Sequence, residues 1–154
     1  MGLLNYTTKI DPDKTAQEIS KCLSMHGASA VLTEYDPEST YVSAISFQIK
    51  VGEQKMGFRL PCDWKPVFAI ITKGSKIKEW DRRYPRWKSE QEMQAVRTAW
   101  RIVKDWVEAQ MALVETHMVT TAEVFLPYAV MKDGRTLAQH AQTDPSFLLG
   151  DGTS

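Results

Sequence analysis

The sequence predicts an α+β fold: a small antiparallel sheet of three to four strands, packed by helices on one face, with one long helix in the second half of the chain. Three observations carry this. After a first strand-like run at Ala28–Tyr35, segments between Tyr41 and Leu60 alternate apolar and polar residues with period two. Turn signals separate those segments where a parallel sheet would need crossover helices, Asp36-Pro37 first and Gly52 second. From Ser89 to about His117 the apolar residues recur at helical spacing.

The expected order is α-β-β-β-α-loop-α-β. Asp11 caps a first helix, Pro12 suits its first position and Gly27 its stop. Ala16, Ile19, Cys22 and Leu23 share one face of it. Ala28–Tyr35 is the first strand and Tyr41–Val51 the second. Lys55–Leu60 is the third, joined to the second as a hairpin at Gly52. Ile45, Phe47, Ile49, Met56, Phe58 and Leu60 give this sheet an apolar face, and Gln48, Lys50, Lys55 and Arg59 give it a wet one. Asp63–Lys73 reads as a short helix with Val67, Ile70 and Ile71 inward and Gly74 at its end. Ser75–Lys88 has no good period for helix or strand, is interrupted by Pro85, and reads as an extended loop.

The long helix opens on a capping box, Ser89 with Glu92, and extends about 40 Å at 1.5 Å per residue. It carries two apolar stripes. The first runs Met93, Val96, Trp100, Val103, Val107, Met111 and Val114, and the second Ile102, Trp106, Ala109 and Leu113. Two stripes require a second neighbour, either the C-terminal segment or another subunit. The second option makes a homo-oligomer the expectation. Glu123–Val130 reads as an edge strand because of Pro127. Asp133-Gly134 is a turn, and Thr136–Gln142 a short helix. Residues 1–143 form one domain, and the polar tail 144–154 is expected to be partly flexible.

The chain has 154 residues, enough to bury a core without metal or disulfides. Nineteen basic residues balance nineteen acidic ones, so only the local placement of charge can indicate a partner. Two scattered cysteines, Cys22 and Cys62, fit a reducing compartment. Neither a signal peptide nor a membrane span is evident, so a cytoplasmic location and no membrane partner are expected. No pair among His26, His117 and His140 has metal-ligand spacing. No P-loop, dinucleotide fingerprint or nucleophile elbow occurs. The expectation is a protein that is not an enzyme, with no catalytic residue, metal or cofactor.

The segment Ser75–Lys88 stands out. Lys76, Lys78, Arg82, Arg83, Arg86 and Lys88 are interleaved with Trp80, Tyr84 and Trp87. Cations meet phosphates and aromatic faces stack on unpaired bases, so this is the pattern of a single-strand binder. The alternative is that the aromatic rings cover the core while the arginines pair with Glu79, Asp81 and Glu90. Arg97, Arg101 and Lys104 share one face of the long helix and could extend a positive groove. Arg101 with Asp105 and Lys104 with Glu108 would instead make it a solvated face. Lys50 and Arg59 on the wet sheet face could likewise hold phosphates or merely face solvent.

The runs AWRIVKDWVEAQMALVE (Ala99–Glu115) and EVFLPY (Glu123–Tyr128), with ISFQI (Ile45–Ile49) and FRLP (Phe58–Pro61) before them, carry a resemblance. Over Tyr6–Leu149 the chain resembles a family of small proteins encoded in phages, prophages and mobile elements. That resemblance implies a place in replication and recombination modules, hence DNA. It implies no catalytic residues. The expected function is single-stranded DNA binding in such a module. The alternative is a protein-binding module, such as an inhibitor or adaptor of a host factor, that uses the same loop as its interface.

Overall fold

The computed structural model describes residues 2–148. Helix α1 (Pro12–Met25) leads into three strands, β1 (Ala28–Tyr35), β2 (Val42–Val51) and β3 (Gln54–Pro61), which form one antiparallel sheet in the order β1-β2-β3. Helix α2 (Lys65–Ile71), the long α3 (Tyr84–Glu115), α4 (Thr121–Phe125) and α5 (Leu137–Thr143) follow. The α+β class and the three strands are as the sequence predicts.

Local chemistry sets these limits. The Asp11 side chain accepts the N–H of Asp13 at 2.8 Å and starts α1 with Pro12 in its first turn. β2 and β3 are joined by Gly52 and Glu53 alone, and Gly52 has φ +62°. A positive φ at the first turn residue only is the pattern of a type II′ hairpin, whose twist matches that of the strands.

The apolar face of the sheet is buried as expected. Ile45, Phe47 and Ile49 of β2 and Phe58 and Leu60 of β3 pack against Ala16, Ile19 and Leu23 of α1 and Val96, Trp100, Val107 and Met111 of α3. At its centre Phe47 stacks on Phe58 with ring centroids 5.3 Å apart, and Phe125 meets Phe47 edge-on at 5.1 Å. Trp100 is only 1% exposed, and its indole N–H donates to the Val42 carbonyl at 2.9 Å. A second cluster joins Val67 of α2 to Ala95 and Ala99 of α3, with Leu3, Trp64 and Phe68 over them. Ile70, expected inward, is exposed; Phe68 occupies the inward side with Trp64, four residues before it.

The N-terminal residues are strapped along α3. Gln94 Nε2 donates to the carbonyls of Tyr6 at 2.9 Å and Thr8 at 2.8 Å, and Asn5 Nδ2 donates to Asp105 at 2.7 Å. At the other end of α3, His26 bridges two helices. Its Nδ1 lies 2.7 Å from the Cys22 carbonyl oxygen and its Nε2 lies 2.6 Å from a Glu115 carboxylate oxygen. Both partners are acceptors, so the ring satisfies both only as the imidazolium. The Cys22 carbonyl and then Glu115 raise its pKa above the usual histidine value.

Two elements differ from expectation. Helix α3 starts at Tyr84, five residues before Ser89, and spans about 48 Å at 1.5 Å per residue. Pro85 begins this helix; it does not interrupt a loop, because the first turn is where proline's missing N–H has no partner to lose. Ser89 therefore lies inside the helix and the expected capping box is not its start. The strand expected at Glu123–Val130 is α4 followed by a 3₁₀ turn at Leu126–Tyr128. Thr120 accepts the Glu123 N–H at 3.1 Å and caps α4, which sends Phe125 into the core. Only Ala129 and Val130 run beside β3, with the Val130 N–H donating to the Gly57 carbonyl at 2.8 Å.

The second stripe of α3 is covered in part by this segment: Trp106 meets Phe125 at 5.6 Å and Tyr128 at 5.8 Å, while Ala109 and Leu113 stay exposed. So the chain's own C-terminal segment is the second neighbour of α3. The expected helix over Thr136–Gln142 is α5, capped by Thr136 and Gln139. Of the tail expected to be partly flexible, residues 149–154 lie outside the described residues. No helix among the described residues is long and apolar enough to cross a membrane.

Replacing Trp100 by Phe keeps most of the volume and removes the indole donor from the Val42 carbonyl. Urea unfolding should report a loss of about 1–3 kcal/mol, the cost of one buried unsatisfied acceptor. The His26 bridge gives a sign for pH. A raised folded pKa adds stability that is complete below about pH 6.5, the ordinary histidine value, and fades as pH rises through the folded value. Melting temperatures of the parent should therefore fall on going from pH 6 towards pH 8, and His26→Gln should flatten that slope.

Candidate nucleic-acid interface

The candidate surface lies between α2 and α3. Thr72 ends α2, its hydroxyl donating to the Phe68 carbonyl at 2.6 Å, and Gly74 turns the chain with φ +81°. Ser75 accepts the Ile77 N–H at 3.2 Å. Asp81 then accepts the Arg83 N–H at 2.9 Å and grips the Arg83 guanidinium, with Nη2 at 2.7 Å. These bonds hold the Asp81 carboxyl down at about 2. Tyr84 follows as the first residue of α3. The segment is thus a run of short turns fixed by its own side chains.

The three aromatic residues part company. Tyr84 and Trp87 are half-buried and pack on each other with centroids 5.7 Å apart. They form one wall of an open hollow of about 330 Å³, whose other walls include Phe68, Thr72, Ile77 and Lys78. Trp80 is 85% exposed. An indole left in water at that level contributes nothing to the core, and its size makes it a natural contact residue.

The cations divide in the same way. Lys76, Lys78 and Arg82 are exposed and enter no ion pair among the described residues. Arg83 is held by Asp81, Arg86 lies 3.1 Å from Glu90, and Lys88 lies 3.8 Å from Glu92. The Arg86 and Lys88 pairs are exposed and single-contact, so they yield readily to a phosphate, whereas the several bonds between Asp81 and Arg83 hold the turn.

Comparison of the chain with protein-family models, with curated proteins and with solved structures finds no match.

The remaining candidates are engaged inside the fold. Arg101 is 14% exposed at its side chain and reaches Glu18 of α1 at 2.5 Å. Lys104 reaches Glu108 at 2.7 Å, as one reading of the sequence had it, and also Glu18 at 3.9 Å. The pairing of Arg101 with Asp105 is absent because Asp105 receives the Asn5 amide. Arg97 donates to Gln94 at 2.7 Å. Arg59 and Glu34 meet at 3.1 Å across the outer sheet face, where Ser46 donates to the same carboxylate. Lys50 is exposed beside Lys55 at the hairpin end. So Arg101 and Lys104 bind α1 to α3, while the aromatic segment brings the unpaired Lys76, Lys78 and Arg82 together with the exposed Trp80 ring.

Phe68, Thr72 and Ile77 line the hollow and were not among the sequence candidates. The signal for Phe68 was its spacing of four from Trp64 on a short helix, which places both rings on one face. Elsewhere, burial pushes the Cys62 thiol up to about 12, so it is not a thiolate at neutral pH. Cys22 and Cys62 are both free.

Of the five tryptophans, Trp80 should be the most open to acrylamide. Trp80→Phe should remove the most quenchable part of the emission and leave a bluer, better-protected spectrum. An unchanged quenching curve would mean that the ring is covered in solution.

Proposed function

We propose that the protein binds single-stranded nucleic acid, with DNA the expected form, through the segment Lys76–Lys88, in a phage-type replication or recombination setting. The exposure of Trp80 amid Lys76, Lys78 and Arg82 carries this reading. Trp80 stacks on one base, Lys76, Lys78 and Arg82 take phosphates, and Arg86 and Lys88 join by exchanging Glu90 and Glu92 for phosphate oxygens. Tyr84 and Trp87 serve as the wall of the hollow, where a second flat ring can lodge. Arg83 shapes the turn through Asp81. Arg97, Arg101 and Lys104 have structural partners and stay out of the contact, as does Arg59. Stacking ignores base identity, so binding is general rather than sequence-specific.

A second reading is a protein partner, favoured by the balanced charge of the chain, since nucleic-acid binders tend to be basic. Trp80 with its arginines would then be the anchor of an interface.

Titration of a labelled oligo-dT separates the two. Contacts to about three to five phosphates lower affinity roughly 15- to 130-fold between about 50 and about 200 mM salt, from a slope near −0.7 per phosphate. Trp80→Ala should weaken binding about 5- to 160-fold, matching about 1–3 kcal/mol of stacking. Arg101→Gln should lower stability and leave binding intact. Absence of binding at low salt overturns the nucleic-acid reading and leaves the protein partner.

A further inference from the structure

The two edges of the sheet are treated differently. The β3 edge is closed by Ala129 and Val130 through the bond to Gly57. The β1 edge is open. Apart from its ladder with β2, no other element bonds to the backbone of Ala28–Tyr35 among the described residues. No residue of β1 is fully buried, and Leu32 is 62% exposed. Two usual guards of an edge strand are missing, since β1 contains no lysine and no proline; its single charge, Glu34, is paired with Arg59, and its irregularities lie at the two ends, outside Ala30–Glu34.

We propose that this edge binds a second copy of the same edge, so that two sheets join about a two-fold axis at Leu32. The register points to self-pairing. The ladder with β2 is uninterrupted over Ala30–Glu34, with shifts just outside at Ala28/Ala30 and Glu34/Tyr35. Leu32 is the midpoint of that regular stretch. An antiparallel pair centred there sets Leu32 against its copy, Val31 against Thr33 and Ala30 against Glu34, each on its own face of the sheet. Glu34 never meets Glu34. Ala30, small and uncharged, faces Glu34 of the other copy on the outer side of the sheet, where Arg59 already pairs with that carboxylate. Open hollows of about 380 Å³ on the α1 side and about 460 Å³ on the outer face leave room for the added strand's alternating side chains. The paired stretch is short, so the dimer is reversible and concentration-dependent.

Sedimentation across a concentration series, with two cysteine variants, tests this. The parent should shift from the mass of one chain towards that of two. Leu32→Lys places like charges face to face at an exposed site and should return it to monomer without lowering its melting temperature. Leu32→Cys should cross-link under mild oxidation at least about tenfold faster than Tyr35→Cys, because opposed Cβ atoms are about 5 Å apart at the axis while the two copies of position 35 are offset by about 20 Å. A monomer at all concentrations overturns the proposal, which excludes an edge reserved for a copy and leaves any extended segment of another protein. Association that Leu32→Lys does not weaken, or equal cross-linking at both positions, overturns it too and moves the contact elsewhere.

Discussion

The hydrogen bond from the Trp100 indole to the Val42 carbonyl fixes where the long helix lies on the sheet, and most of the remaining structure is referred to that helix. Val42 begins β2, the central strand, and its carbonyl is enclosed where water cannot serve it. A donor must come from the packing element, and an indole is the one apolar side chain large enough to fill the site and still carry an N–H. With Trp100 seated, the other faces of α3 are set by helical geometry. Ala95 and Ala99 let α2 approach closely, Arg101 and Lys104 meet α1 at Glu18, and Trp106 receives the C-terminal segment. Gln94, Thr98 and Asp105 hold the N-terminal strap on yet another side.

A helix surrounded in this way consumes its own charges. Nineteen basic residues look ample for a polyanion partner, but those on α3 are held by carboxylates and amides of the same chain. Releasing Arg101 from Glu18 would leave a half-buried carboxylate with only Lys104, at 3.9 Å, to compensate it, a cost that an exposed phosphate contact does not recover. Lys76, Lys78 and Arg82 carry no packing duty, and they lie in the turns before α3. A net charge of zero is therefore compatible with a local positive surface.

The sheet and α1 were legible in the sequence because their signals are local: alternation in Tyr41–Leu60, a cap at Asp11, positive-φ glycines at Gly27 and Gly52. The start of α3 was misread because Pro85 marks either a break or a first turn, and only the partner surface decides which. Glu123–Val130 was misread because a short apolar run has no period that separates strand from helix. The cap Thr120-x-x-Glu123 was present, but what commits the segment to α4 is the place for Phe125 beside Phe47, Phe58 and Trp106, which no local pattern displays. The candidate site divides along the same line. The cluster of cations and rings could be read directly; which of them were already spoken for could not, because Glu18 lies 83 residues from Arg101.

The doubled apolar stripe of α3 suggested a partner for the helix, yet its own chain supplies Phe125 and Tyr128 there. The two proposed contact surfaces, the turns before α3 and the edge of β1, use different chemistry. On the proposed reading, one offers charge and an aromatic face to a flexible polyanion, and the other offers backbone donors and acceptors to a strand. A pair joined at β1 carries two copies of the aromatic segment on one particle. A single stack and a few phosphates make a weak site, and a strand long enough to reach both copies binds the second as an intramolecular event. Avidity of that kind depends on strand length, whereas the chemistry of each site does not. A short oligonucleotide reports the loop alone, and a long one reports the loop together with the edge.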